Sequence, residues 1–394
     1  MNSKDIVICS PVRTPIGTYG GSLKDTPATE LGTIAIKASL ERAGIANEKI
    51  QSLVMGNVIQ AGNGMNPARQ AGIGAKLPVE VPALTVNRVC GSGAQAIVSA
   101  FQEVAAGFTD CAMAGGMENM DLAPYLMANG RWGARMGDVL LVDSMLRDGL
   151  NDAFSGKHSG WHTEDLVSRY GVSREDQDQW AFRSQQRFAS AQEAGSFDDE
   201  LIGVEVTGRK GPLLFARDEH NRPDTTLESL SRLRPVFRED GSITAGNAPG
   251  LNSGAAAMIV ADRRWAEANA LVPMAKIVSY GISAVEPGYF GFGPVPAVRQ
   301  ALQRAGWQTT DVDRVEINEA FAAISLVCLR EIGFPEHIVN PDGGAIAHGH
   351  PIGASGAVLT VRLLHAMARE KQQRGIVSLC IGGGQGIALA LELL

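Results

Sequence analysis

Apolar and polar positions along the chain follow the same plan twice. In "ASLERAGIANEKIQSLVMGN" (38–57) a helical pattern closes on Arg-Ala-Gly, a polar connection follows, and an apolar strand ends at a polar corner. "QALQRAGWQTTDVDRVEINE" (300–319) repeats this order. Gly44 and Gly306 stand where a helix stop is expected, since glycine adopts the left-handed cap without a Cβ penalty. Forty-nine residues after Gly44 lies Gly93 of "CGSGAQAIVSAFQEVAAGFTDCAMAGG", and fifty after Gly306 lies Gly356 of "GASGAVLTVRLLHAMAREKQQRGIVSLCIGGG". Both stretches predict a glycine-rich turn, a helix, an apolar strand and a closing glycine cluster. The near-equal spacing predicts a duplicated α/β unit.

The segment between the copies differs. Residues 121–252 hold much of the charge, and "VSREDQDQWAFRSQQRFASAQEAGSFDDE" predicts a helix starting at a Ser173–Asp176 cap. The predicted division is 1–120 with 253–272 as one core half, 121–252 as an inserted loop domain, and 273–394 as the other half. An insertion of this size is expected to carry binding function.

Composition narrows the class. The chain has 394 residues, 45% of them hydrophobic, with a formal charge of −7 and no basic block. Nucleic acid and anionic membranes are therefore not expected as partners. No stretch approaches the roughly 18 apolar residues of a membrane span, and the N-terminus shows no signal-peptide core. The five cysteines, Cys9, Cys90, Cys111, Cys328 and Cys380, are widely spaced with no Cys-x-x-Cys pair. Neither a disulfide framework nor a metal site is expected, and a reducing cytoplasm is the expected compartment.

Four stretches carry candidate chemistry. In "NRVCGSGAQAI" (87–97) Cys90 stands at the mouth of a helix, where free N–H groups favour a thiolate and lower its pKa. The competing reading is a small apolar cysteine in a tight contact. The matching turn of the second copy, "GGAIAHGHPIGASGA" (343–357), brings His350 near Cys90 if the copies face each other. His348 is its rival by position, although Pro351 favours His350 as the held residue. In "SLCIGGGQG" Cys380 reads as an accessible strand-tip thiol among glycines. In "EINEAFAA" (316–323) Asn318 and Glu319 either orient a water or a histidine, or cap a helix through Asn318.

Together with "RTPIGTYGGSLKD", "GGMENM", "RWGARMGD" and "TAGNAPGLNSGAAA", these motifs resemble the thiolase family over essentially the whole chain. The resemblance implies two five-stranded α/β halves with a loop domain inserted in the first. It implies an acyltransferase in which Cys90 accepts the acyl group and His350, with a water held by Asn318, activates the thiol and stabilises one oxyanion. Cys380 would be the acid/base at the acetyl-CoA carbon, and the N–H groups of Cys90 and Gly382 a second oxyanion hole. Coenzyme A and acyl-CoA are the implied partners, as substrates, with no resident cofactor, and a homodimer or homotetramer is implied. Arg222 and Ser229 would lie near the adenine and ribose, with Leu150, His158, Phe237 and Ala245 along the pantetheine arm. A specialised condensing acyltransferase and a non-catalytic acyl-CoA-binding protein are the alternatives.

The chain departs from the family pattern at Ser159, Trp161, His162, Pro249 and His348. Ser159 stands where a methionine commonly lines the acyl end, and Pro249 lacks an amide donor that usually meets the pantetheine. These changes are expected to reshape the pocket and to favour an acyl chain longer or more polar than acetoacetyl.

Overall fold

The computed structural model describes residues 5–208 and 211–394. The two predicted repeats appear as two mirrored runs of strands that merge into one sheet. From the centre outward, the first run is Ile6–Arg13, Asn252–Asp262, Cys111–Asn119, Ser52–Gly56 and Ala83–Val86. The second is Pro273–Ala284, Gln385–Leu393, Arg374–Ile381 and Arg314–Ile317. Its fifth member is reduced to a single parallel bridge, Val315 to Val339. Asn340 finishes the edge with its side chain, accepting from the Ile317 amide and donating to the Ile317 carbonyl, each at 2.9 Å. The two runs meet where Ile6–Arg13 pairs antiparallel with Pro273–Ala284, with Val7 opposite Lys276 and Ile8 opposite Ala275.

Strand alternation sorts the core into layers. Ile6 and Ile8 face inward with Ala112, Ala114, Val377 and Leu379, against the helices Ser92–Ala105 and Ser355–Glu370. Val7, Cys9 and Met113 face outward against Leu31 and Ile36 of the helix Ala28–Ala43. On the other outer face Ile317 and Ala388 pack against Val295 and Val298 of Pro294–Ala305 and Ile324 of Ala322–Ile332. The result is helix, sheet, helix pair, sheet, helix. Ala28–Ala43 and Pro294–Ala305 end at Gly44 (φ 64°) and Gly306 (φ 71°), as their sequences predict.

Within residues 121–252 the expected helix runs Arg174–Glu193, with Ser173 Oγ accepting from the Asp176 amide at 3.0 Å. This segment is fastened to the first strand by charge. Arg13, fully buried, pairs with Glu200 and with Asp218 through both carboxylate oxygens. Breaking one partner of such a buried set would leave an uncompensated charge, which costs several kcal/mol. Among the described residues no helix is long and apolar enough to cross a membrane.

Candidate active site

The helices Ser92–Ala105 and Ser355–Glu370 start side by side, so the turns before them converge at one end of the sheet. The turn before Cys90 is strained. Val89 has φ 44°, a left-handed conformation that costs a β-branched residue of order 1–3 kcal/mol. Side chains hold it there. Asn87 Oδ1 accepts from the Val89 amide (3.0 Å), while Ser92 Oγ accepts from the Arg88 amide (2.9 Å) and donates to the Val89 carbonyl (2.7 Å).

Cys90 and His350 both line a cavity of about 770 Å³, together with Gly382 and Gly383 from the turn after Arg374–Ile381. The backbone of Gly382 faces the Cys90 sulfur and favours its thiolate. The thiol is nevertheless pushed up to about 11, because burial penalises the thiolate more than Gly382 and the Cys90 amide favour it, and Glu118 adds repulsion. The expectation of a lowered Cys90 pKa is thus reversed: the helix mouth is half-buried as well as electropositive, and desolvation dominates.

His350 is buried and held at three points. Its backbone amide donates to Asn252 Oδ1 at 2.8 Å. Its Nδ1 lies 2.6 Å from Ser355 Oγ, and Ser355 donates its own hydrogen to the Pro351 carbonyl (2.9 Å). Ser355 therefore accepts from His350, which places the imidazole hydrogen on Nδ1 and leaves Nε2 unprotonated, an acceptor. Asn318 Nδ2 stands 3.3 Å from that Nε2. Burial pushes His350 down to about 4, so the ring is neutral near pH 7.

Asn318 is not a helix cap, the reading that local sequence favoured. The helix Ala322–Ile332 starts later, at Phe321, and the Asn318 side chain turns to His350 instead. Glu319 beside it is structural, accepting from Trp180 Nε1 (2.9 Å), Ser184 Oγ (2.7 Å), Asn340 Nδ2 (3.0 Å) and the Ile346 amide (3.1 Å). Cys380 is also corrected: it is fully buried rather than accessible, and burial with the nearby Cys90 drives its thiol well above the ordinary range.

The remaining predicted residues divide. Leu150, His158, Phe237, Ala245 and Pro249 all line the cavity. His158 and Phe237 stack with centroids 4.6 Å apart, and a Cβ on Gly160 would lie 2.1 Å from the Phe237 ring. Arg222 and Ser229 lie outside the cavity, on the surface. Ser229 is engaged locally, exchanging hydrogen bonds with Thr226 to cap the short helix Leu227–Ser231. Among the departures, Ser159 and Pro249 form cavity wall. Trp161 instead lies between Lys157 and Arg238, whose cations sit 5.0 and 4.5 Å from its ring. His162 bonds Ser155 at 2.7 Å, and His348 is buried against Phe188.

Sequence reasoning passed over Ser355, Asn252 and Glu118. Ser355 and Glu118 sit inside motifs quoted for their glycines and cysteines, and a single polar residue in such a run carries no periodic signal.

The chain matches the family model "Thiolase, N-terminal domain" over residues 6–264 and "Thiolase, C-terminal domain" over residues 271–393. An acetyl-CoA acetyltransferase of Cupriavidus necator is 49% identical over 389 residues, 98% of this chain and 99% of the relative. A probable acetyl-CoA acyltransferase of Staphylococcus epidermidis is 51% identical over 388 residues, 98% of each chain. The crystal structure of the Bacillus anthracis acetyl-CoA acetyltransferase superposes with TM-score 0.97 at 39% identity, covering 100% of this chain and 99% of that one. That of human mitochondrial 3-ketoacyl-CoA thiolase superposes with TM-score 0.97 at 41% identity, covering 100% of both.

The fold and the full-length relatives are those of an acyltransferase. The chain belongs to the thiolase family. These full-length relatives support that activity rather than a specialised condensing enzyme or a non-catalytic binder.

Proposed function

We propose that this thiolase moves an acyl group between coenzyme A and the Cys90 sulfur, cleaving or forming a 3-oxoacyl-CoA. The carrying observation is that Cys90, on its strained turn, and a neutral His350 with an unprotonated Nε2 line one cavity. In cleavage, His350 takes the Cys90 proton and the sulfur attacks the 3-oxo carbon. The C2–C3 bond breaks and its electron pair becomes the enolate of acetyl-CoA, which Cys380 protonates at C2. The acyl group stays on Cys90 as a thioester. Free coenzyme A then attacks that carbonyl, its proton passes to the Cys380 thiolate, and acyl-CoA leaves as His350 returns its proton to the Cys90 sulfur. Condensation is the reverse. Asn318, with its Oδ1 free of any partner among the described residues, orients the first oxyanion through His350 and water, and the Cys90 and Gly382 N–H groups serve the second.

Coenzyme A enters as a substrate, and the steps call on no resident cofactor or metal. Leu150, His158, Phe237, Ala245 and Pro249 take the pantetheine arm, with Arg222 and Ser229 outside near the nucleotide. Serine at position 159 of the wall supports an acyl group longer or more polar than acetoacetyl. The binding segment is residues 121–252, between core halves 1–120 with 253–272 and 273–394. A homodimer or homotetramer in the cytoplasm fits the unpaired side of the edge strand Ala83–Val86, where Leu84 is exposed.

Intact mass after mixing with 3-oxoacyl-CoAs of increasing length, with peptide mapping, tests this reading. An acyl adduct on Cys90 is expected, and the fastest chain reports the pocket. Cys90→Ala should give none, and Cys380→Ser should still acylate from acetyl-CoA while forming no carbon–carbon bond. Absence of any adduct on folded protein that binds coenzyme A overturns it.

A further inference from the structure

Glu118 lies at the end of the strand Cys111–Asn119, fully buried, and among the described residues no cation is paired with it. Its carboxylate is met by four N–H donors. Oε1 accepts from Asn57 Nδ2 at 2.8 Å and from the Ile59 amide at 3.3 Å. Oε2 accepts from the Val58 amide at 3.0 Å and from the Gly353 amide at 2.9 Å. With two donors on each oxygen, a proton on the carboxyl would displace one of these bonds, so the arrangement suits the ionised form. Each donor has a bearing on the site. Gly353 closes the His350-Pro351-Ile352-Gly353 turn, and a Cβ there would lie 2.6 Å from Oε2. Val58 and Ile59 belong to the apolar cluster that packs against Cys90. Glu118 thus joins a turn from each half of the fold, and its charge is felt by Cys90.

We infer that Glu118 is a positioning residue whose ionised carboxylate fastens the His350 turn to the Cys90 half of the site and opposes a free Cys90 thiolate in the resting enzyme. The donors that hold it are neutral, and its charge acts on Cys90, which packs against the cluster of Val58 and Ile59. Burial pushes Glu118 up to about 7 against the pull of those donors, so the charge is developed above neutral pH. Repelling a free thiolate favours chemistry in which the Cys90 proton leaves to His350 only as the sulfur attacks.

The inference rests on Cys90 as the acylated thiol. The test is peptide-resolved alkylation of Cys90 by iodoacetamide across the alkaline range, alongside steady-state kinetics, on the wild type, Glu118→Gln and Glu118→Asp. Removing the charge in Glu118→Gln should move the alkylation midpoint down by about one pH unit. It should also lower kcat roughly tenfold with KM near wild type, as loss of alignment does. Glu118→Asp keeps the charge and shortens the reach, so its midpoint should stay while kcat falls. If Glu118→Gln does not fold, the aspartate variant decides: a lowered kcat at an unchanged midpoint supports the inference, and a moved midpoint or unchanged kcat overturns it. A Glu118→Gln midpoint equal to wild type also overturns it. Acyl-Cys90 that still forms in that case leaves the functional reading standing, whereas failure of the wild type to acylate at Cys90 removes that reading itself.

Discussion

Gly93 and Gly356 press against each other's helices. A Cβ on Gly93 would lie 2.6 Å from the Ala357 amide nitrogen, and one on Gly356 would lie 2.3 Å from the Ala94 amide nitrogen. The contact is reciprocal because the two residues occupy matching places in the two repeats. It lets the helix starts, and hence the Cys90 and His350 turns, meet. Gly93→Ala and Gly356→Ala should each destabilise the fold by about 1–3 kcal/mol or more, since neither clash is with a flexible side-chain tip. Urea unfolding measures this, and midpoints equal to wild type would show that the helices can part freely.

Ser355 fixes the His350 tautomer from the first position of the following helix. Ser355→Ala should lower kcat by roughly three- to tenfold, corresponding to one hydrogen bond of about 0.5–1.5 kcal/mol. Stability should fall as well, by about 1–3 kcal/mol, because the buried Nδ1–H loses its acceptor. Initial-rate kinetics with a saturating thioester decide it, and an unchanged kcat would mean the ring is held by Asn318 alone.

His348 is 1% exposed, and neither ring nitrogen has a hydrogen-bond partner among the described residues. Burial, with Arg362 and Arg13 nearby, drives its pKa well below the ordinary value. Removing an unsatisfied buried polar group should help, so His348→Leu should stabilise by about 1–3 kcal/mol. A calorimetric melting temperature at or below wild type would contradict this.

The buried histidines also predict an acid limb. His350 and His220 are both pushed down to about 4 by burial, aided at His220 by Arg222. A depressed folded pKa contributes stability above the unfolded value near 6.5 that is lost as pH falls through 4. Stability should therefore decline as pH drops from about 6.5 toward 4, less steeply in His348→Leu. Denaturant titrations at several pH values across that window check the slope.

Gly160 makes room for the Phe237 ring on the cavity wall. Gly160→Ala should displace Phe237 and raise KM for coenzyme A several-fold, while acylation by saturating substrate is retained. An unchanged KM would place the pantetheine arm elsewhere.

The sequence by itself determined the repeat, the helix stops at Gly44 and Gly306, the Ser173 cap and the motifs marking Cys90 and His350. Those features are local: helical periodicity, left-handed glycine and turn chemistry are set within a few residues. Even the facing of the two turns followed, because a duplicated unit brings equivalent positions together. What the tertiary structure decided involves partners far apart in the chain. Cys380 looked accessible because glycines follow it, yet the helices covering its strand bury it completely. Asn318 suited a helix cap until His350, 32 residues on, supplied a partner. His348 and His350 are two residues apart in one motif, and only the path of the turn sent one against Phe188 of the helix Arg174–Glu193 and the other into the cavity. The electropositive helix mouth at Cys90 was legible, but its depth was not. Desolvation depends on what the rest of the fold places overhead, and that term sets the resting state of the thiol.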